Sequence, residues 1–143
     1  MTEEQPSLSE SQFGQALQRY QDGAEAADVI ADFEAITRRD PRQAAGWTCL
    51  AWLQLLCDQP EEALRSARFA VKLNPQDPQA RINLSLALLE TDSKGVRDHI
   101  QVVQQVLTMA PQVSTDLKES LDDGLKRRPG WKALEKVKNW LQL

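Results

Sequence analysis

The feature that most constrains this chain is a set of aromatic, small and proline residues at fixed offsets within residues 44–77. Its members are Trp47, Leu50, Ala51, Ala63, Ala70 and Pro75. Large side chains fill the space between two packed helices, whereas alanines let the helices approach closely. Pro75 lacks an amide hydrogen and clashes with the preceding turn, so a helix ends near Leu73. The window predicts a helix-turn-helix unit whose second helix begins at Pro60, which suits a first turn.

This pattern resembles one unit of the tetratricopeptide repeat (TPR), a helix-turn-helix of about 34 residues. Gln54 and Ala67 depart from the pattern, because they occupy positions where the family prefers aromatic residues. The resemblance implies an all-α, right-handed α-solenoid of about three TPR-like units with a C-terminal capping helix pair. It also implies that the first helices of the units line a concave groove that binds other proteins.

The same frame extends less cleanly in both directions. Upstream, Phe13, Tyr20 and Phe33 take aromatic positions of the repeat. Downstream, residues 78–113 align with the repeat only if the loop at residues 91–95 contains an insertion. The predicted single domain, 1–143, then comprises a disordered lead (1–8), a degenerate repeat (10–43), a clear repeat (44–77), a repeat with the loop insertion (78–113) and capping helices (114–143).

Three helix features outside the clear repeat follow from residue spacing. Ser9 with Gln12 fits a capping box, so the first helix is expected to begin near Ser9. An apolar stripe on the helix after the insertion would comprise Ile100, Val103, Val106 and Met109. The capping helices would start at a capped Ser114, break at residues 128–130, and bury apolar residues to cover the last repeat. In the final helix these residues are Trp131, Leu134, Val137, Trp140 and Leu141.

The composition, 41% hydrophobic and 27% charged, is that of an ordinary globular domain that buries a core without disulfides or metals. The longest apolar stretch, Cys49 to Cys57, falls far short of the roughly 20 residues of a membrane-spanning helix. The acidic start at Met1 to Glu4 lacks the apolar core of a signal peptide. We therefore predict a cytoplasmic protein without a transmembrane segment, in which both cysteines are core thiols.

The family's ligand-contacting positions define a predicted partner-binding groove. Its residues are Gln18, Gln21, Thr48, Trp52, Leu55, Ile82, Leu86 and Leu89. The helix around Trp52 is apolar over most of its circumference, and such a helix must be covered on more than one side. Two explanations stay open: an apolar or amphipathic helix or peptide of another protein, or cover by the chain's own segments or a second copy.

The sequence disfavours two classes of partner. TPR proteins that grip acidic chaperone tails use lysine and asparagine at groove positions where this chain has Thr48 and Trp52. The net charge of −4 argues against nucleic acid as the main ligand. The basic C-terminal region nevertheless offers possible contacts for an anionic surface, at Lys126, Arg127, Arg128, Lys132 and Lys136.

The sequence offers no catalytic or cofactor site. His99 is the single histidine, and neither cysteine has a neighbour at metal-ligand spacing. We predict a non-catalytic protein-interaction scaffold without cofactor or metal, acting as an adaptor, assembly factor or chaperone. The first alternative is a structural self-association module, such as a homo-oligomer, whose groove is filled by its own chain or a symmetry mate. A weaker alternative is an RNA or membrane-surface binder that uses the basic C-terminal helix.

Overall fold

The computed structural model describes residues 8–143, with side chains from residue 11 onward, and this part of the chain forms eight α-helices and no β-strand. In order they are α1 (Leu8–Gln21), α2 (Ala26–Arg39), α3 (Ala44–Leu56), α4 (Pro60–Leu73), α5 (Pro78–Glu90), α6 (Val96–Met109), α7 (Val113–Arg127) and α8 (Lys132–Leu141). The predicted all-α class is confirmed. The predicted disordered lead lies outside the described residues, except for Leu8, which belongs to α1.

Proline and glycine set several helix boundaries. The predicted second helix of the clear repeat is confirmed, because α4 begins at Pro60 and ends at Leu73. α5 begins at Pro78, and the preceding Asp77 accepts a hydrogen bond from the Gln79 amide at 3.1 Å. α6 begins after Gly95, whose φ of 104° favours glycine. The loop between α5 and α6 therefore lies where the insertion was predicted.

Consecutive helices from α1 to α6 pack against one another, and small residues allow their close approach. Ala51 on α3 and Ala63, Ala67 and Ala70 on α4 are completely buried. Gln54 occupies an aromatic position of the repeat, but its Oε1 accepts a hydrogen bond from Ser66 Oγ at 2.7 Å. A buried hydrogen bond thus stands in for aromatic packing at this place between the two helices.

Four sequence expectations are wrong in detail. Met109 is 86% exposed, because the buried stripe on α6 covers only Ile100 and Val103. Trp140 is 44% exposed, although its neighbours in the predicted stripe are buried. The hydroxyl of Ser114 donates to the carbonyl oxygen of Pro111 and caps no helix amide. Neither cysteine is fully buried.

The C-terminal helices α7 and α8 cover part of the face on which a partner was predicted to bind. The face formed by α1, α3 and α5, here termed the concave face, corresponds to the groove predicted from the repeat pattern. α8 packs against α5 and α6, as expected of a cap on the last unit. α7 instead lies across α3, and its side chains reach the end of α1. The concave face is therefore partly covered by the chain itself.

Candidate functional site

The apolar centre of the concave face is buried beneath α7 and α8. Four predicted groove residues belong to one core cluster with residues of these helices, and they are Trp52, Leu55, Ile82 and Leu86. Trp52 is 8% exposed and the other three are fully buried. Of the two explanations that the sequence left open for these four residues, the structure shows cover by the chain's own segments, because Leu117 and Leu121 of α7 and Leu134 of α8 pack against this cluster. Contact of these four residues with a partner stays a prediction.

Trp52 lies beneath α7 and α8 and contacts residues from several helices. Its ring lies 5.6 Å from the ring of Trp131, measured between centroids. Its Nε1 donates a hydrogen bond to Tyr20 Oη at 2.9 Å, and Tyr20 Oη in turn donates to Asp123 on α7. Burial, reinforced by the hydrogen bond to Asp123, raises the pKa of Tyr20 well above its ordinary value. Tyr20 therefore stays protonated as the donor that joins α1 to α7.

Arg127, the last residue of α7, binds the end of α1. Its guanidinium donates to the carbonyl oxygens of Tyr20 at 2.6 Å and Ala24 at 2.9 Å. The same group pairs with Asp123 at 3.1 Å and lies 3.7 Å from the centroid of the Tyr20 ring. Tyr20 lies in the last turn of α1, whose carbonyls carry partial negative charge, so a cation stabilises this helix end. Ala24 lies in the turn that follows α1.

Arg128 does the same at the end of α3. It donates to the carbonyl oxygen of Leu55 at 2.9 Å and pairs with Glu90 at 2.8 Å. Glu90 also accepts a hydrogen bond from Trp131 Nε1 at 2.7 Å. Burial raises the pKa of Glu90, while Arg128 and Trp131 oppose that change. The two arginines, here termed the arginine pair, hold the junction between α7 and α8 against α1 and α3.

The arginine pair changes the interpretation of the basic C-terminal region. Both guanidinium groups have acceptors inside the chain, a pairing that the sequence pattern did not indicate. The remaining predicted contacts, Lys126, Lys132 and Lys136, are exposed. Their binding to an anionic surface stays a prediction.

A cleft of about 390 Å³ remains open beside α7. Its lining residues come from α1, α2, α3, α7 and the start of α5, and they are Leu17, Tyr20, Gln21, Phe33, Thr48, Cys49, Trp52, Leu53, Gln79, Asp116, Glu119, Ser120 and Asp123. Its volume lies within the roughly 300–1,000 Å³ of ligand sites in proteins. We term this space the α7 cleft.

The α7 cleft contains only part of the predicted groove. Gln21, Thr48 and the edge of Trp52 line it. Gln18 lies outside this lining, is exposed, and donates a hydrogen bond to Asp22 at 2.9 Å. Leu89 is half-buried and packs against the core cluster that contains Trp52. Their role in binding a partner stays a prediction.

Sequence reasoning missed the wall that α7 contributes. The residues of that wall are Asp116, Glu119, Ser120 and Asp123. One signal was available, because Leu117, Leu121 and Gly124 follow helical spacing and form a face of α7 without charged residues, next to the acidic one. An amphipathic helix must bury such a face somewhere.

Cys49 lies in the lining of the α7 cleft, and it is half-buried. Burial raises the pKa of its thiol to about 12. The reactive form of cysteine is the thiolate, so this side chain is a weak nucleophile at neutral pH. It contributes apolar surface to the cleft.

Within residues 8–143, no group of three or more histidine, cysteine or carboxylate side chains is arranged to hold a metal ion. In the same range, none of the helices has the length and apolarity that crossing a bilayer would require.

Comparison with known proteins shows which solved structures share this fold. No protein-family model matches the sequence, and no curated protein matches it either. Solved structures do match. The type III secretion translocator chaperone SycD of Yersinia enterocolitica superposes with a TM-score of 0.71 at 15% identity, covering 99% of this chain and 90% of SycD. The chain has a TPR-like fold.

Two further TPR-like matches were solved with peptides. SycD in complex with a peptide of the translocator YopD gives a TM-score of 0.58 at 16% identity, covering 99% of this chain and 95% of that one. The first TPR domain of Spaghetti (RPAP3), bound to an HSP90 peptide, gives 0.56 at 12% identity, with 94% and 90% covered. At these identities the likeness concerns the fold.

Proposed function

We propose that this chain is a non-catalytic binding module that holds a peptide segment of another protein in the α7 cleft, in the manner of an adaptor or chaperone. One observation carries the proposal: the cleft stays open and largely apolar at its floor, although α7 and α8 cover the rest of the concave face. Concave, mostly apolar sites with a few polar groups are typical of ligand binding. SycD and the RPAP3 domain, which share the fold, were solved with bound peptides.

Selection from a displayed peptide library tests this proposal. Ser120 is half-buried and lines the cleft, so Ser120→Trp should fill it. Thr115→Trp adds the same ring at an exposed position of α7 outside the lining, and serves as the matched control. Peptides enriched by the wild type and by Thr115→Trp, but lost with Ser120→Trp, would support the proposal.

Circular dichroism and the melting temperature must show that both tryptophan variants are folded. Leu17→Glu, which places a carboxylate in the apolar floor of the cleft, provides a second blocking variant. A peptide population that is the same for the wild type and for both blocking variants would contradict binding in the cleft.

Self-association is the second candidate, and the exposed apolar side chains of Met109 and Trp140 favour it, because such groups can contact another chain. The centre of the concave face, in contrast, is filled by the chain's own helices and leaves no room there for a second copy. Light scattering on the purified chain separates the two candidates: a monomer whose peptide binding depends on the cleft excludes self-association as its main role. The cytoplasmic location and the assembly-factor role stay predictions.

A further inference from the structure

The α7 cleft has two chemically different sides. Its floor is apolar and consists of Leu17, Leu53, Phe33, the half-buried Cys49 and the edge of Trp52. Its α7 wall is acidic. The side formed by α1, α3 and α5 contributes neutral amides and a hydroxyl, from Gln21, Gln79 and Thr48. An occupant must therefore present apolar groups to the floor and polar groups to α7.

The acidic wall follows from the register of α7. Asp116, Glu119 and Asp123 are spaced three and four residues apart, so they lie on one face of the helix. At about 1.5 Å per residue, this face extends roughly 10 Å along the cleft. The intervening Ser120 is small, and it leaves room between the carboxylates and the floor.

The carboxylates of this wall differ in how they are neutralised. Asp123 already pairs with Arg127 and accepts a hydrogen bond from Tyr20. Asp116 and Glu119 are exposed, and neither forms an ion pair with another described residue. The residues that line the cleft, all within the described part of the chain, include no lysine, arginine or histidine. Asp116 also lies in the first turn of α7, where a carboxylate is favourable, but neither it nor Glu119 is neutralised by a cation of the cleft lining.

We infer that the α7 cleft selects a basic amphipathic peptide segment, one whose apolar side chains contact the floor while lysine or arginine faces Asp116 and Glu119. This inference rests on the proposed function and adds the chemical class of the ligand. Charge complementarity of this kind excludes wrong partners and speeds association more than it adds affinity, and it weakens with salt. Acidic segments and nucleic acids are repelled by the same wall.

Three synthetic peptides test the charge preference by titration calorimetry with the full chain. They share leucine anchors and differ only at two positions, which carry lysine, glutamine or glutamate. At low salt we expect the lysine peptide to bind about tenfold more tightly than the glutamine peptide, because two exposed ion pairs form. The glutamate peptide should bind most weakly, and added salt should reduce the differences.

A charge-matched pair of double variants locates the effect. Asp116→Asn with Glu119→Gln should remove the preference for lysine, so that the lysine and glutamine peptides bind this variant with equal affinity. Glu61→Gln with Glu62→Gln removes the same charge from the exposed first turn of α4, outside the cleft lining, and should keep the preference.

The outcomes separate this inference from the proposed function. Equal affinities for the lysine and glutamine peptides, both lost with Ser120→Trp, would overturn the inference and leave peptide binding in place. Failure of all three peptides to bind would overturn both. A chain that is dimeric in light scattering, and becomes monomeric with Ser120→Trp, would show that a second copy occupies the cleft and would also overturn the inference.

Discussion

Gly124 controls how closely α7 approaches the concave face. A Cβ atom at this position would lie 2.7 Å from Cη2 of Trp52 and 3.0 Å from Cδ2 of Leu134. Trp52 is a large buried ring fixed by Tyr20 and Trp131, so it cannot move away without cost. The absence of a side chain at residue 124 therefore allows α7 to cover Trp52.

Glycine-to-alanine substitutions at two positions test this close approach, because they should change the free energy of unfolding in opposite directions. Gly124→Ala should lower the free energy of unfolding by up to about 2 kcal/mol, since overpacking costs roughly 1–3 kcal/mol and the gain in helix propensity returns about 1. Gly14→Ala lies in α1 with nothing within 4 Å, and should raise it by about 0.5–1 kcal/mol. Urea denaturation measures both. Stabilisation at both positions would contradict the close contact of α7 with Trp52.

Single residues were predictable from sequence where the repeat pattern fixes their neighbours. Ala51 and Ala63 were assigned to close helix contacts, and both are fully buried. Trp140 was assigned to the core from its helical spacing, yet it is half-exposed because the side of α8 that meets α5, α6 and α7 does not include it. Spacing identifies an apolar stripe, but the width of the stripe that is covered depends on the neighbouring helices.

The arginine pair acts at the scale of helices, because it joins the end of α7 to the ends of two earlier helices. Arg128→Ala should lower the free energy of unfolding by about 1–3 kcal/mol, since hydrogen bonds from a charged donor to Leu55 and Glu90 are lost. Arg128→Lys keeps the charge but loses the planar fork, so we expect an intermediate loss.

Tryptophan fluorescence during urea denaturation provides the measurement, because Trp131 stacks under Arg128 at 4.7 Å. Lys136→Ala is the control, since Lys136 is exposed and such changes usually stay within about 0.5 kcal/mol. An equal stability for Arg128→Ala and Lys136→Ala would show that the arginine adds nothing to the attachment of α7 and α8.

Helix boundaries were largely predictable, whereas the path of α7 was not. Pro60 and Gly95 act within their own turns, so local sequence is sufficient to place α4 and α6. The position of α7 depends on contacts between residues about a hundred positions apart, such as Tyr20 with Asp123. No local pattern encodes such a pairing, and the consecutive Arg127 and Arg128 were equally compatible with a solvated helix end.

At the scale of the whole molecule, α7 closes a structure that would otherwise be open. In a simple solenoid each repeat contacts only its neighbours, so damage stays local. Here Arg127 bonds to Tyr20 across 107 positions of the chain. A substitution in the C-terminal helices should therefore change the local stability of α1.

Hydrogen exchange of the native protein tests this coupling. Arg127→Ala should accelerate exchange of amides in the last turn of α1 roughly tenfold. In the variant, opening this turn no longer requires breaking the hydrogen bonds that the Arg127 guanidinium donates. Lys126→Ala, one residue earlier and exposed, should leave α1 unchanged. Faster exchange confined to α7 and α8 would show that the first repeat is stable without them.

The hydrogen bond between Arg127 and the end of α1 also has a consequence for the order of events during synthesis of the chain. The first repeat leaves the ribosome long before its partner, which lies 107 residues further along the chain. At about 5–20 residues per second, α1 waits roughly 5–20 seconds for Arg127 to be made. After α3 has been made and until α7 follows, Trp52 and Leu55 lack their cover, so the nascent chain displays an apolar surface that the finished protein conceals.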